Sequence, residues 1–248
     1  MTVLKPHRQN ATEPDLIPLG QDGVLIRFSL INDPQVSDQV IATRHEIEAA
    51  GIDGVEEIAG SLTSALVRYD PVRISRTDLI HRLAKTMAQM TPQQVQTGRH
   101  WTIPATFDGI HMQEVCELTN QNRDRVITDI VKTALRVLAI GFAPGQPYLG
   151  LLPDHWNFPR QDHLTQNVPA GTIITAVQQL IPFATTGVTG WRQIGYCAFR
   201  AFSTNRNEPF VLQQGDMVRF EQVSESEMAD IEKSNTDGMG GARCRAQL

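Results

Sequence analysis

The punctuation of the chain changes at Gly141, and that change limits the possible fold more than any other feature. From Gly141 to Gly215, glycines and prolines separate apolar runs too short for helices: Thr172–Val177, Gln193–Phe202 and Met217–Phe220. Short strands with this punctuation predict a β-barrel or related closed sheet, because closure removes exposed edges. Before Gly141 the pattern is different. GVLIRF after the Gly20–Gly23 turn reads as a strand, and Asn32-Asp33-Pro34 reads as a helix start. Val36, Val40, Ile41 and Ile47 then recur at helical spacing until Gly51. SALVRY (64–69) is a strand, and Ser75 or Thr77 caps a helix with Leu79, Ile80, Leu83 and Met87 on one face. Trp101–Ile103 is expected to add the last strand of a split βαβ unit, a small ferredoxin-like sheet covered on one face by helices.

Two further helices are expected, over 111–119 (Met112, Val115 and Cys116 on one side) and over 123–133 (Val126, Ile127, Ile130, Val131), followed by a strand at 135–140. The reading is therefore α+β: residues 15–90 a small α/β sandwich domain and 99–222 a β-barrel domain with a helical insert at 110–134. Thr91–Gly98 reads as a linker, the first fifteen residues as a frayed terminus, and 223–248 as a disordered tail without an apolar pattern.

The formal charge of −5 in 248 residues gives no basis for a nucleic-acid partner. No apolar run reaches the 18 residues of a membrane span, and the N-terminus lacks a signal-peptide core. Three distant cysteines without CxxC spacing, none near an obvious base, suit a reducing compartment; the expected location is the cytoplasm.

The densest local signal is GFAPGQPYLG (141–150), three glycines and two prolines that fix an unusual loop. Phe142, Gly145 and Tyr148 are candidates for a pocket wall or a partner surface; as internal anchors they would be only structural. The segment is not a phosphate-binding P-loop, since no GxxxxGK[ST] order is present. Arg160 is a candidate carboxylate or phosphate clamp, or the partner of Asp154 or Asp162. Asp154, His155, Asp162 and His163 match no strong metal signature, so no metal site is expected. GVTGWRQIG (187–195) reads as a second glycine-rich loop, with Trp191 either in the core or covering a ligand. Gln178, Gln179, Thr185 and Thr186 lie between the loops as hydrogen-bonding candidates. No catalytic triad assembles, so binding geometry is clearer than a catalyst.

In their order these motifs resemble the family of the B subunit of bacterial 5-oxoprolinase, also called the KipI-like or allophanate-hydrolase subunit 1 family. The resemblance runs from Pro18-Leu19-Gly20 through Tyr69-Asp70-Pro71 and the 141–150 decapeptide to Pro159-Arg160, Val168-Pro169-Ala170-Gly171, Gly190-Trp191, Ile194-Gly195, Pro209-Phe210 and Gly215–Phe220. It implies a cyclophilin-like barrel as the second domain and a sister subunit of similar barrel architecture (KipA-like). It also implies a third subunit and ATP-dependent opening of 5-oxoproline or a similar small carboxylated amide, with ATP in the assembled complex. Relatives instead inhibit a sensor histidine kinase, and a non-catalytic scaffold subunit is a further reading. On this resemblance Arg160 contacts a carboxylate or phosphate, Gln179 orients an amide or carbonyl, and Trp191, Phe142, Tyr148 and Gly145 shape the pocket. No catalytic residue is assigned. The chain departs from the family pattern at Ile130, where a histidine is usual, at Gln146, at Leu164-Thr165, at Thr189, and at Val177-Gln178-Gln179-Leu180-Ile181, which replaces a glycine-rich stretch.

Overall fold

The computed structural model describes residues 13–31, 33–90 and 99–245; the frayed terminus before residue 13, the capping role of Asn32 and the 91–98 linker lie outside them. The chain divides into two compact units, at residues 96 and 97.

In the first unit, β1 (Asp15–Leu19), β2 (Gly23–Arg27), α1 (Pro34–Ala50), β3 (Val55–Gly60), β4 (Ser64–Tyr69) and α2 (Arg76–Gln89) follow one another. The sheet is antiparallel in the order β1-β2-β4-β3. Alternation dictates its inner face: Val24 and Ile26 pair in register with Val67 and Ala65, and all four are buried. The Asp33 carboxylate caps α1 by accepting from the Gln35 N–H, and Gly51 ends it at φ 53°. Ser75 caps α2, which buries Leu79 and Leu83, each worth roughly 1.5–3 kcal/mol. The expected fourth strand at 101–103 is not in this sheet; the N-terminal β1 takes the edge beside β2 through a tight turn at residues 20–22. A hairpin partner across so short a turn closes at lower entropic cost than one beyond α2.

The second unit contains β5 (His100–Ala105), α3 (Met112–Thr119), α4 (Arg123–Lys132), β6 (Leu135–Ile140), β7 (Pro147–Gly150), a single 3-10 turn at Asp154–Trp156, β8 (Thr165–Val168), β9 (Thr172–Ala176), β10 (Gln179–Pro182), β11 (Gly187–Thr189), β12 (Arg192–Tyr196), β13 (Met217–Gln222), α5 (Glu225–Ser234) and β14 (Arg243–Arg245). Eight of these strands form one sheet in the order β12-β9-β10-β7-β6-β13-β5-β14, and β8 pairs separately with β11. Only the β5–β13 pair is parallel within the large sheet. An antiparallel bridge between Thr106 and Tyr196 joins the residue after β5 to β12, so the sheet bends until strands near its two ends touch. The apolar faces of α3 and α4 (Met112, Val115, Val126, Ile130) pack with Ile103, Val137, Leu149, Ile173 and Ile194 in one core.

The structure differs from expectation in two further places. Residues 187–195 are not a loop: they form β11 and most of β12, separated by Gly190 and Trp191. The 223–248 segment is not disordered over its described part. Ser224 and Glu227 form a reciprocal capping box at the start of α5. Asn235 Nδ2 donates to the Ala198 carbonyl, and β14 pairs with β5. The Asn235 bond and the β14 pairing are long-range, and among the described α5 residues only Met228 is buried, so no apolar period announces the element. Among the described residues no helix is long and apolar enough to cross a membrane.

Candidate functional site

The 141–150 decapeptide is the turn and second strand of the β6–β7 hairpin. Its turn is closed internally, by Gly141 N–H to the Gln146 carbonyl and Gln146 N–H to the Ala143 carbonyl. Gly145 has φ 70°, and a Cβ there would stand 2.7 Å from Phe202 Cβ, so a side chain at this position is excluded by packing. Phe142, also at φ 70°, is 86% exposed.

A different part of the unit gathers the polar candidates, on a sheet face formed by β7, β10, β9 and β12. Leu149, Leu180, Ile173 and Ile194 point to the main core, whereas Ile174, Ala176 and Ile181 form a separate apolar cluster with Val168 and Phe183. Tyr148 and Trp191 pack against that second cluster. Gln179 lies opposite Ala176 and Gln193 opposite Ile174, and both glutamines are 8% exposed. Directly paired residues share a sheet face, so an apolar floor of Ile174, Ala176 and Ile181 carries two amides and two aromatic rings. Gln193 Nε2 is buried without a hydrogen-bond partner among the described residues. Such a donor costs about 1–3 kcal/mol until something accepts from it. Gly150 borders this face: a Cβ there would meet Leu138 Cδ1 at 2.8 Å and Gln179 Cγ at 3.3 Å.

Arg160 is seated on Gly190, the residue before Trp191: a Cβ at Gly190 would lie 2.5 Å from Arg160 Nε. The Arg160 side chain is exposed, and its guanidinium has no hydrogen-bond or ion-pair partner among the described residues. The acids expected as its partners are engaged elsewhere. Asp154 accepts from Gln178 Nε2 at 3.2 Å, and Asp162 lies 3.6 Å from His163 Nδ1.

The segment carrying Arg160 is pinned at several points. The Leu152 N–H donates to the Gln178 carbonyl at 2.7 Å, and Gln178 Nε2 donates back to the Leu152 carbonyl at 3.0 Å. Further along, the Gln161 N–H donates to the Gly190 carbonyl at 2.9 Å. Between these points Arg192 Nη1 donates to the Pro159 carbonyl while its other nitrogens hold Glu114 on α3 at 2.8–2.9 Å and its plane covers Phe158. His111 completes this corner: its Nδ1 accepts from the Gln193 N–H at 3.1 Å, and burial lowers its pKa, which keeps the ring neutral. No local pattern announces the Arg192–Glu114 pair, because its members are 78 positions apart.

Of the six candidates, then, Tyr148, Gln179 and Trp191 share one sheet face and Arg160 borders it through Gly190; Phe142 and Gly145 stand apart on the hairpin turn. A hollow of about 460 Å³ in the first unit, lined by Ile47, Glu48, Asp53 and Arg73 among others, contains none of the six. Its arginine is already paired with Asp53.

Comparison with known proteins agrees with the resemblance carried by the motifs. The chain is 28% identical over 211 residues to the 5-oxoprolinase B subunit of Haemophilus influenzae, covering 83% of this chain and 96% of the relative. It is 28% identical over 233 residues to the 5-oxoprolinase B subunit of Bacillus subtilis, covering 88% and 96%. The crystal structure of TTHA0988 superposes with a TM-score of 0.72 at 27% identity over 82% of this chain, which spans 40% of that protein. The sequence profile of one family matches residues 14–212, and the chain belongs to that family, the carboxyltransferase domain, subdomain C and D.

Proposed function

We propose that this chain is a cytoplasmic subunit of a 5-oxoprolinase-type complex that opens a small cyclic, carboxylated amide with ATP, in company with a sister subunit of similar architecture and a third subunit. The observation that carries this reading is the likeness, over 96% of their length, to two relatives that bear the name of the 5-oxoprolinase B subunit. The bridge between Thr106 and Tyr196 supports a closed, cyclophilin-like barrel as its scaffold.

In this reading Arg160 binds the substrate carboxylate with a planar, bidentate fork that no described side chain occupies. Gln179 faces the amide, and Tyr148 and Trp191 enclose the ring. Fixing the small ring between rigid walls lowers the entropic part of the barrier. Phe142, at 86% exposure, moves from pocket wall to the surface that meets the sister subunit. The 141–150 turn does not fit a nucleotide phosphate, because the Gly141 and Gln146 N–H groups bond within the turn and Gly145 is packed on Phe202. In this reading ATP is bound outside this turn. The exposed Phe142 equally suits a regulatory protein that docks on a histidine kinase, the second reading.

Co-purification with the sister and third subunits, followed by 5-oxoproline-dependent ATP hydrolysis, tests both. Turnover is expected, and Arg160→Ala should lower kcat/KM about 10- to 100-fold, the worth of a charge-assisted hydrogen bond. Unchanged kinetics would remove Arg160 from the site. An inactive complex together with tight binding of this chain to a kinase domain would replace the enzymatic reading by the regulatory one.

A further inference from the structure

Gln193 stands on the candidate face at a cost that nothing in the fold offsets. The residue is 8% exposed, and its Nε2 is the buried donor without a partner described above. An apolar side chain would suit the floor of Ile174, Ala176 and Ile181 without that cost. The backbone keeps the amide in place. The Gln193 N–H donates to His111 Nδ1 at 3.1 Å, and the Gln193 carbonyl accepts from the His111 N–H at 3.0 Å. Gly109 lies so close to the same carbonyl that a Cβ there would overlap it. With both backbone groups engaged, the strand holds its register opposite Ile174 and the side chain cannot leave the face. Thr175 Oγ1 is also buried without a partner among the described residues, but Thr175 lies opposite Leu180 and turns to the main core.

Register also sets the spacing of the polar groups. Gln193 and Gln179 flank β9 opposite Ile174 and Ala176, two strand spacings apart and offset by two residues, which puts their Cα atoms about 12 Å apart. Each glutamine side chain spans roughly 5 Å, so the two amides leave room between them for one small ring over the floor. Arg160 is seated on Gly190, three residues before Gln193 and at most about 10 Å from it along the chain. A ring that carries both a carboxylate and a carbonyl matches these three groups.

We propose that Gln193 is a specificity-determining residue: its Nε2–H donates to the ring carbonyl oxygen of the substrate, on the side opposite Gln179. This rests on the cyclic-amide reading of the site. A carbonyl oxygen has two lone pairs and accepts from both amides. A ring with a carboxylate but no carbonyl leaves the buried donor unpaired, and a site built around a hydrogen bond rejects the ligand that lacks the partner. Val168 on β8 belongs to the apolar cluster of the face, and β8 pairs with β11 rather than with the large sheet. The β8–β11 ribbon is therefore the element that yields to admit the ring.

Gln193→Met tests the proposal, since it keeps the length of the side chain and removes the donor. In the assembled complex the KM for 5-oxoproline should rise about 5- to 150-fold, with kcat changed less than KM. The inhibition constant of L-proline, which has the ring and the carboxylate without the carbonyl, should stay as it is. An unchanged KM, or an equal loss for both ligands, overturns the assignment while leaving the wild-type turnover, and so the proposed function, intact. On the free chain Gln193→Met should not lower the urea midpoint; a fall would mean that Nε2 has a partner in the fold, and it overturns the proposal as well. If the wild-type complex opens no cyclic amide, the proposed function fails, and Gln193 is judged on the free chain by ¹H–¹⁵N NMR. Its side-chain amide signal, identified by its absence from Gln193→Met, should move on titration with 5-oxoproline. A signal that stays in place overturns the proposal.

Discussion

Val177 sits at φ 47° and Gln178 at φ 63°, the left-handed region in which a Cβ is crowded by the neighbouring carbonyl. The β9–β10 turn therefore keeps glycine-type angles without a glycine at either position. Gln178 offsets its strain through two side-chain bonds, to Leu152 and Asp154. Val177 is 47% exposed and lacks comparable side-chain bonds. Val177→Gly should raise the unfolding free energy by about 1 kcal/mol, read from urea denaturation; a loss would show that the valine side chain contributes contacts outweighing its strain. A second residue-scale expectation concerns Cys197. Complete burial pushes its thiol from an ordinary 9.0 up to about 12. A group held protonated in the fold contributes stability below the unfolded pKa and loses it as pH rises toward the folded one. Stability should thus fall between pH 9 and pH 12, and the fall should be shallower in Cys197→Ala. Equal slopes would exclude the thiol as the cause.

At the scale of elements, the junction of β5 with β13 depends on one carboxylate. Asp216, buried, accepts from the Arg99 N–H, from Arg99 Nε and Nη2, from Trp101 Nε1 and from the Gln213 N–H. Removing it takes an acceptor from the half-buried Arg99 guanidinium and from the Trp101 N–H. Asp216→Ala should cost about 3–5 kcal/mol, measured as a shift of the denaturation midpoint; a cost under about 1 kcal/mol would mean that water replaces the carboxylate. The elements also show what a linear reading can deliver. Local signals are legible: the Asp33 and Ser75 caps, the Gly51 stop and the buried stripe of α4 all stand where the residues place them. Partners distant in sequence are not. Nothing within HWTIPA assigns β5 to one sheet or the other, since that choice is made by the Asp216 cage, 115 positions from Trp101. The site follows the same division. Tyr148, Gln179 and Trp191 stand out because the segments around them are unusual in composition, whereas Gln193 and His111 depend on register and packing that composition does not encode.

At the scale of the molecule, each unit has a core of its own. Val24, Ile26, Val67, Leu79 and Leu83 serve the first, and the larger cluster around Ile103, Val137, Ile173 and Phe220 serves the second. A chain segment that buries its own apolar set folds as a domain. Residues 13–90 and 99–245, expressed separately, should each unfold cooperatively and give dispersed amide spectra. A non-cooperative transition in either would show that the units need one another.

The pairing of β5 also has a consequence for how the chain is made. Its two strand neighbours, β13 and β14, are both encoded far downstream in the message, after some hundred codons of other structure. While the ribosome reads those codons the nascent β5 has no ladder to join, although the preceding unit is already complete and can fold. A premature stop in that interval would release a polypeptide whose β5 has neither of its ladder partners, an open edge of the kind that templates aggregation.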